Sequence, residues 1–161
     1  MAIFEVLMLP FRIAQGVLSI IILGLTAYVI NSWNGILWWE SPSQVNFLLF
    51  CSLWTLLALV YLVLAPMRFQ AAAHKYAILA AEAVTMIFWF AGFIALAVLL
   101  GDIRCGRWGG VCRASQAATV FGAFEWLLFT ATTVAAALHA FGLGSSRTKQ
   151  HDPAIQVQPQ V

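Results

Sequence analysis

The sequence predicts an all-α integral membrane protein, a four-helix transmembrane bundle with both termini cytoplasmic. Three observations carry that expectation. The 161 residues are 63% hydrophobic and only 9% charged, whereas a soluble globule has roughly a quarter of its residues charged. Four apolar runs, 13–30, 47–65, 76–100 and 117–141, each fall within the roughly 17–25 residues that a ~30 Å hydrocarbon core requires of a helix. None of them alternates with the period of two that a barrel strand needs.

Residues 1–11 read as an interfacial lead-in, because Glu5 and Pro10 interrupt an otherwise apolar stretch. The first span then opens on Arg12, Gln15 and Gly16 and ends in Tyr28-Val29-Ile30. It is long for a secretory leader and lacks the small-x-small cleavage pattern, so it is expected to stay as a span. In the following loop Trp33, Trp38 and Trp39 flank Asn34-Gly35, which suits a turn lying in the headgroup belt where indoles are favoured. The second span carries Cys51, read as a small apolar filler, and Pro66 lies just beyond it. Residues 143–161, polar and rich in turn formers, are expected to be a disordered cytoplasmic tail, which leaves 12–142 as the membrane domain.

Orientation follows from the loops. With the N-terminus inside, Arg12, Arg68, Lys75, Arg147 and Lys149 are cytoplasmic and Arg104, Arg107 and Arg113 are outside, in the sense of the positive-inside rule. The third loop contains Cys105 and Cys112 in Cys-Gly-Arg-Trp-Gly-Gly-Val-Cys, and disulfides persist on the exoplasmic or lumenal side. A bridge closing so short a loop would contribute roughly 2–3 kcal/mol in the chain-entropy picture. Half of a metal site is the alternative, but no neighbouring His or further Cys completes a shell.

Glu82 and Glu125 lie inside the third and fourth runs, where an unpaired carboxylate costs several kcal/mol and so is expected to face the bundle. Steps of three and four residues join Ala118, Gly122, Glu125, Phe129, Thr132, Ala136 and His139 on one face of the fourth span. The same steps join Lys75, Ile78, Glu82, Thr85, Trp89, Gly92 and Leu96 in the third, and Arg12, Gln15, Ser19, Ile22 and Thr26 in the first. Small and polar residues mark the packed side of a membrane helix, so Gly16, Gly92, Ala118 and Gly122 are expected at helix contacts and Thr85 and Thr132 among the polar ties. Glu82, roughly 9 Å from the start of its span at 1.5 Å per residue, is within reach of Arg12 or Gln15. Glu125, about 13 Å deep from the opposite surface, is expected as a neutral acid beside threonines and backbone carbonyls. Two readings of the pair stand: interhelical ties, or proton or cation ligands of a small channel or carrier. The absence of inverted repeats and broken helices favours the first.

The strings Glu82-Ala-Val-Thr85-Met-Ile-Phe-Trp89-Phe-Ala-Gly92-Phe-Ile-Ala-Leu96-Ala97 and Phe121-Gly-Ala-Phe-Glu125-Trp-Leu-Leu-Phe129 are distinctive. With Arg12-x-x-Gln15, Pro66 and the paired cysteines, they give a chain that resembles the MARVEL-domain family of four-span membrane proteins, most closely its fungal members. The resemblance covers about 11–142, though the second span adds little to it. It implies cytoplasmic termini and a non-enzymatic role in lateral membrane domains, membrane apposition or vesicle trafficking, at the plasma membrane or on secretory vesicles. Implied partners are membrane lipids and, laterally, copies of itself or other membrane proteins.

Other classes fit poorly. The first loop has Trp33-Asn-Gly-Ile-Leu-Trp38, superficially claudin-like, but without paired cysteines there. Intramembrane hydrolysis would need a Ser–His pair, two aspartates or His-Glu-x-x-His, and the spans hold only the terminal His139. Eight basic residues scattered over both membrane faces make no nucleic-acid stripe. No motif asks for a cofactor, a metal or a small-molecule substrate.

Overall fold

The computed structural model of the chain describes residues 2–36, 41–68, 75–102 and 109–141, with side chains described for 8–32, 41–64, 76–102 and 109–141. Four α-helices account for these residues: α1 (Ala2–Ile36), α2 (Ser43–Arg68), α3 (Lys75–Asp102) and α4 (Gly109–Ala140). All four are long and apolar enough to cross a bilayer, with spans Met8–Ser32, Ser43–Leu64, Tyr76–Asp102 and Gly109–Ala140. No strand occurs among the described residues.

Helix boundaries differ from those the sequence suggests in α1, α2 and α4; α2 starts four residues earlier and ends three later than 47–65, so Pro66 lies inside the helix and does not close it. α1 runs without a break from the lead-in into the span, with Pro10 inside it. The proline leaves the Val6 carbonyl without its i+4 donor, a loss that the rest of a 35-residue helix absorbs. At its other end α1 continues through Asn34-Gly35 to Ile36, so the expected turn is the last turn of a helix; Trp38 and Trp39 lie outside the described residues. α4 begins at Gly109 rather than near 117, because Arg113, Ser115 and Gln116 interrupt the hydrophobic run without interrupting the helix. The tail, 142–161, is likewise outside the described residues.

Helix ends are closed by local bonds. The Pro42 carbonyl accepts from the Val45 and Asn46 amides at 3.0 and 3.2 Å, and Ser41 Oγ donates to Asn46 Oδ1 at 2.9 Å, which fixes the entry into α2. At the far end of α4 the Phe141 amide reaches the Ala137 carbonyl at 2.9 Å.

Each helix packs on its neighbours in sequence, and α4 returns to α1, closing a four-membered ring whose largest interface is α3 with α4. Lipid tails are as apolar as leucine, so close van der Waals approach and interhelical hydrogen bonds hold such helices together. The core is accordingly mixed: Ile22, Leu48, Trp89, Leu96 and Phe129 are buried beside Gln15, Ser19, Thr55, Glu82 and Glu125. The exterior is the apolar side, with Leu57 69% exposed while both glutamates are at 0%.

Glycine sets the closest approaches. A Cβ on Gly122 would stand 3.3 Å from Phe93 Cβ and 3.7 Å from the Trp89 ring, and one on Gly92 3.0 Å from Leu48 Cδ1. Gly16 faces Leu59 Cδ1 at 3.6 Å by the same measure. Ala118 is buried beside them. Two aromatic seams flank the contacts: Phe88 against Trp54, Phe50 and Phe47 at 5.7, 5.8 and 6.2 Å between centroids, and Trp126 against Phe90 and Phe93 at 5.5 and 5.9 Å.

Candidate functional site: the buried polar network

Helical periodicity alone brings most of the polar side chains together. On α1, Gln15, Ser19 and Thr26 point inward with Ile22; on α3, Glu82, Thr85, Trp89, Gly92 and Leu96 do so; on α4, Ala118, Gly122, Glu125, Phe129 and Thr132. The stripes drift at their ends. Ile78 and Ala136 are half-buried and His139 is exposed, while Ala140 is buried in its place, as expected where 3.6 residues per turn carries a face round over many turns.

One cluster lies toward the N-terminal end of α1. Arg12, with its side chain 13% exposed, forms an ion pair through Nη2 with Oε1 of the fully buried Glu82. Its Nη1 donates to Gln15 Oε1 at 3.3 Å. Gln15 Nε2 donates to Thr132 Oγ1 at 3.3 Å, and Thr132 Oγ1 donates to Glu82 Oε2 at 2.6 Å. Glu82 is thus engaged at both oxygens, Oε1 by the ion pair with α1 alone, without a hydrogen bond, and Oε2 by a hydroxyl from α4. The chain Arg12–Glu82–Thr132–Gln15 joins three helices, and its ion pair links α1 to α3, which are not neighbours in the ring.

Glu125 stands apart from this cluster. Its Oε1 accepts from Ser19 Oγ at 2.8 Å, and its Oε2 is buried with no hydrogen-bond partner. With α4 starting at Gly109, Glu125 stands sixteen positions after that residue and fifteen before Ala140, about 24 and 23 Å along the helix at 1.5 Å per residue. Glu125 is therefore at the middle of its helix. Its partner is a serine of α1, rather than the threonines and carbonyls the sequence suggested, and Ser19 is itself near the middle of the span Met8–Ser32.

Thr85 belongs to a third feature that sequence reasoning missed. Trp54 Nε1 on α2 donates to Thr85 Oγ1 on α3 at 3.1 Å, and Thr85 Oγ1 donates to the Ala81 carbonyl at 2.7 Å. Reciprocally, Trp89 Nε1 on α3 donates to Thr55 Oγ1 on α2 at 2.9 Å. Two indole-to-hydroxyl bonds of opposite direction clasp α2 to α3. The signal in the sequence is Trp54-Thr55 set against Thr85 and Trp89, legible only once the two helices are known to be neighbours. Cys51, fully buried, directs Sγ at the Phe88 carbonyl at 3.7 Å in the same interface.

At the opposite end Cys112 is buried in the first turn of α4, and Cys105 lies outside the described residues. No group of three or more His, Cys, Asp or Glu able to hold a metal occurs among the described residues. What the arrangement offers chemically is a hydrogen-bonded ion pair near one rim and a lone carboxyl at mid-depth.

A family model described as MARVEL, a membrane-associating domain, matches residues 5–135. No curated protein and no solved structure matches this chain. The match takes in nearly all of α1, the whole of α2 and α3, and the part of α4 that carries Glu125 and Thr132; the chain belongs to the MARVEL family of membrane-associating domains.

Proposed function

We propose that this protein is a non-enzymatic organiser of membrane, acting in lateral domains, membrane apposition or vesicle trafficking at the plasma membrane or on secretory vesicles. One observation carries the reading: the buried polar side chains are engaged mainly with one another inside the bundle, while the outer faces present bulky apolar groups such as Phe50, Leu57, Phe90 and Phe124. In this reading Arg12, Gln15, Glu82, Glu125, Thr85 and Thr132 are ties that hold the helices in one register, each bond contributing on the order of 1 kcal/mol. Gly16, Gly92, Ala118 and Gly122 set how closely the helices approach. The lipid-facing aromatic seams and exposed small residues such as Ala77 and Ala91 then serve lateral association with lipids, further copies or other membrane proteins.

The termini are cytoplasmic in this proposal. Cys105 and Cys112 meet in a disulfide on the other side, stiffening the loop between α3 and α4. A carrier or channel would need polar groups leading to both surfaces, whereas beyond Ser19 and Glu125 the buried core continues through Ile22, Leu48, Leu96 and Ala118, and the buried hydroxyls of Thr26, Ser52 and Ser115 are turned back onto their own helices.

The test is the lateral distribution of a C-terminally tagged chain, imaged in cells and in giant vesicles. Stable patches or vesicle-restricted signal, dispersed when Glu82→Gln loosens the bundle, are the expected result. A uniform, freely diffusing monomer in both settings would overturn the reading.

A further inference from the structure

We propose that Glu125 is a proton-binding site at the middle of the membrane, supplied from the Arg12 side only. Two independent observations point to it. The carboxyl is fully buried, and one of its oxygens, Oε2, has no hydrogen-bond partner, while the other is held by Ser19 at 2.8 Å. No cation is placed to compensate it: the described charged or titratable side chains on the helices against it are Arg12 and Glu82, which pair with each other, and groups toward the helix ends. Toward the Arg12 end these are Tyr76 and His139, and toward the far end Tyr28, Asp102 and Arg113. A carboxylate in hydrocarbon with one hydrogen bond and no counter-charge is a poor resting state. A proton on Oε2 removes the charge without breaking the bond from Ser19 or any bond between heavy atoms.

The second observation is the asymmetry of the interior. From the Arg12 end, polar side chains lead inward as a series: Glu82, Thr132 and Gln15 are joined at 2.6 and 3.3 Å, and Gln15 is one helical turn, about 6 Å, from Ser19. One bridging water closes a gap of that size. Beyond Glu125 the buried apolar residues include Ile22, Leu48, Leu96, Ala118, Val29 and Val45, and the buried hydroxyls there, Thr26, Ser52 and Ser115, are each directed back to their own helix, at the Ile22 and Leu23, Leu48 and Val111 carbonyls. The pathway therefore ends at Glu125. Protons enter and leave by one side, and the chain binds a proton without conducting it. Loss of that proton places a charge between α1 and α4 and weakens their contact, so the site makes the bundle responsive to the pH on its Arg12 side. This holds whether or not the protein organises membrane domains.

A hydrophobic carbodiimide, which attacks protonated carboxyls within hydrocarbon, is the probe, with the full chain in liposomes of uniform orientation and the label located by peptide mass. Labelling of Glu125 is expected, falling about tenfold or more as the pH on the Arg12 side is raised from about 6 to about 10, with no response to the opposite side. Glu125→Gln should abolish it and Ser19→Ala should retain it; because the label is mapped on the parent chain, a variant that fails to fold leaves the test intact. Absence of label at every pH, a response to the opposite side, or protection by about 0.1 M Na⁺ at fixed pH would each overturn the proposal.

Discussion

Removing Arg12 should damage this protein more than removing the carboxylate it pairs with. Glu82 is fully buried, and without Arg12 it keeps only the 2.6 Å bond from Thr132; stranding a buried charge by deleting its partner costs about 3–5 kcal/mol. The converse change is milder. In Glu82→Gln the guanidinium, already 13% exposed, keeps Gln15 and extends along its stem to the headgroups, so the loss is confined to the pair itself and is about 1–2 kcal/mol. Replacing both at once, Arg12→Met with Glu82→Met, removes the desolvation cost along with the attraction and should return stability to within about 1 kcal/mol of the parent. Reversible unfolding by SDS in mixed micelles, followed by tryptophan fluorescence, gives all three values and the coupling between the sites. Equal losses in the two single variants, or a double variant worse than either, would refute the assignment of Glu82 as the buried member of the pair.

Gly122→Leu should cost about 1–3 kcal/mol by overpacking against Phe93 Cβ at 3.3 Å, whereas Gly24→Ala, with nothing within 4 Å, should be neutral or stabilise by up to about 1 kcal/mol; the same unfolding assay ranks them. Trp89→Phe removes the bond to Thr55 and part of a fully buried ring, for an expected loss of about 1–2 kcal/mol. If Cys105 and Cys112 are bridged, only Cys51 remains as a thiol, and its burial should leave the unreduced native protein unreactive to a polar maleimide until it is unfolded. Rapid labelling of the native chain would contradict the bridge.

The inward faces were legible from the sequence because a membrane bundle inverts the usual pattern. Small and polar residues mark the contact, and steps of three and four from Gly122 through Glu125 to Thr132 trace it directly. Helix ends were harder to read. Arg113, Ser115 and Gln116 end the apolar run of α4 but not its backbone hydrogen bonding, so the helix starts at Gly109, ahead of the hydropathy boundary. Asn34-Gly35 carried a turn signal inside a helix for a related reason: local preference is worth about 1 kcal/mol per residue, less than a long helix gains by continuing. Pairing across helices was the least legible. Arg12 and Gln15 could be matched to Glu82 by height, but choosing Ser19 for Glu125, or Trp54 for Thr85, required knowing that α1 packs on α4 and α2 on α3. Nothing in the one-dimensional pattern of α2 singled out Thr55, whose hydroxyl matters only because the Trp89 indole arrives beside it.

Proton flux into liposomes containing the purified protein tests most directly whether the buried polar residues hold the bundle together or carry ions. With a pH gradient imposed and a membrane potential clamped, the protein is expected to show no flux above protein-free vesicles, while Glu82→Gln and Glu125→Gln lower its stability. Acid-dependent flux in the parent that either substitution abolishes would contradict that account.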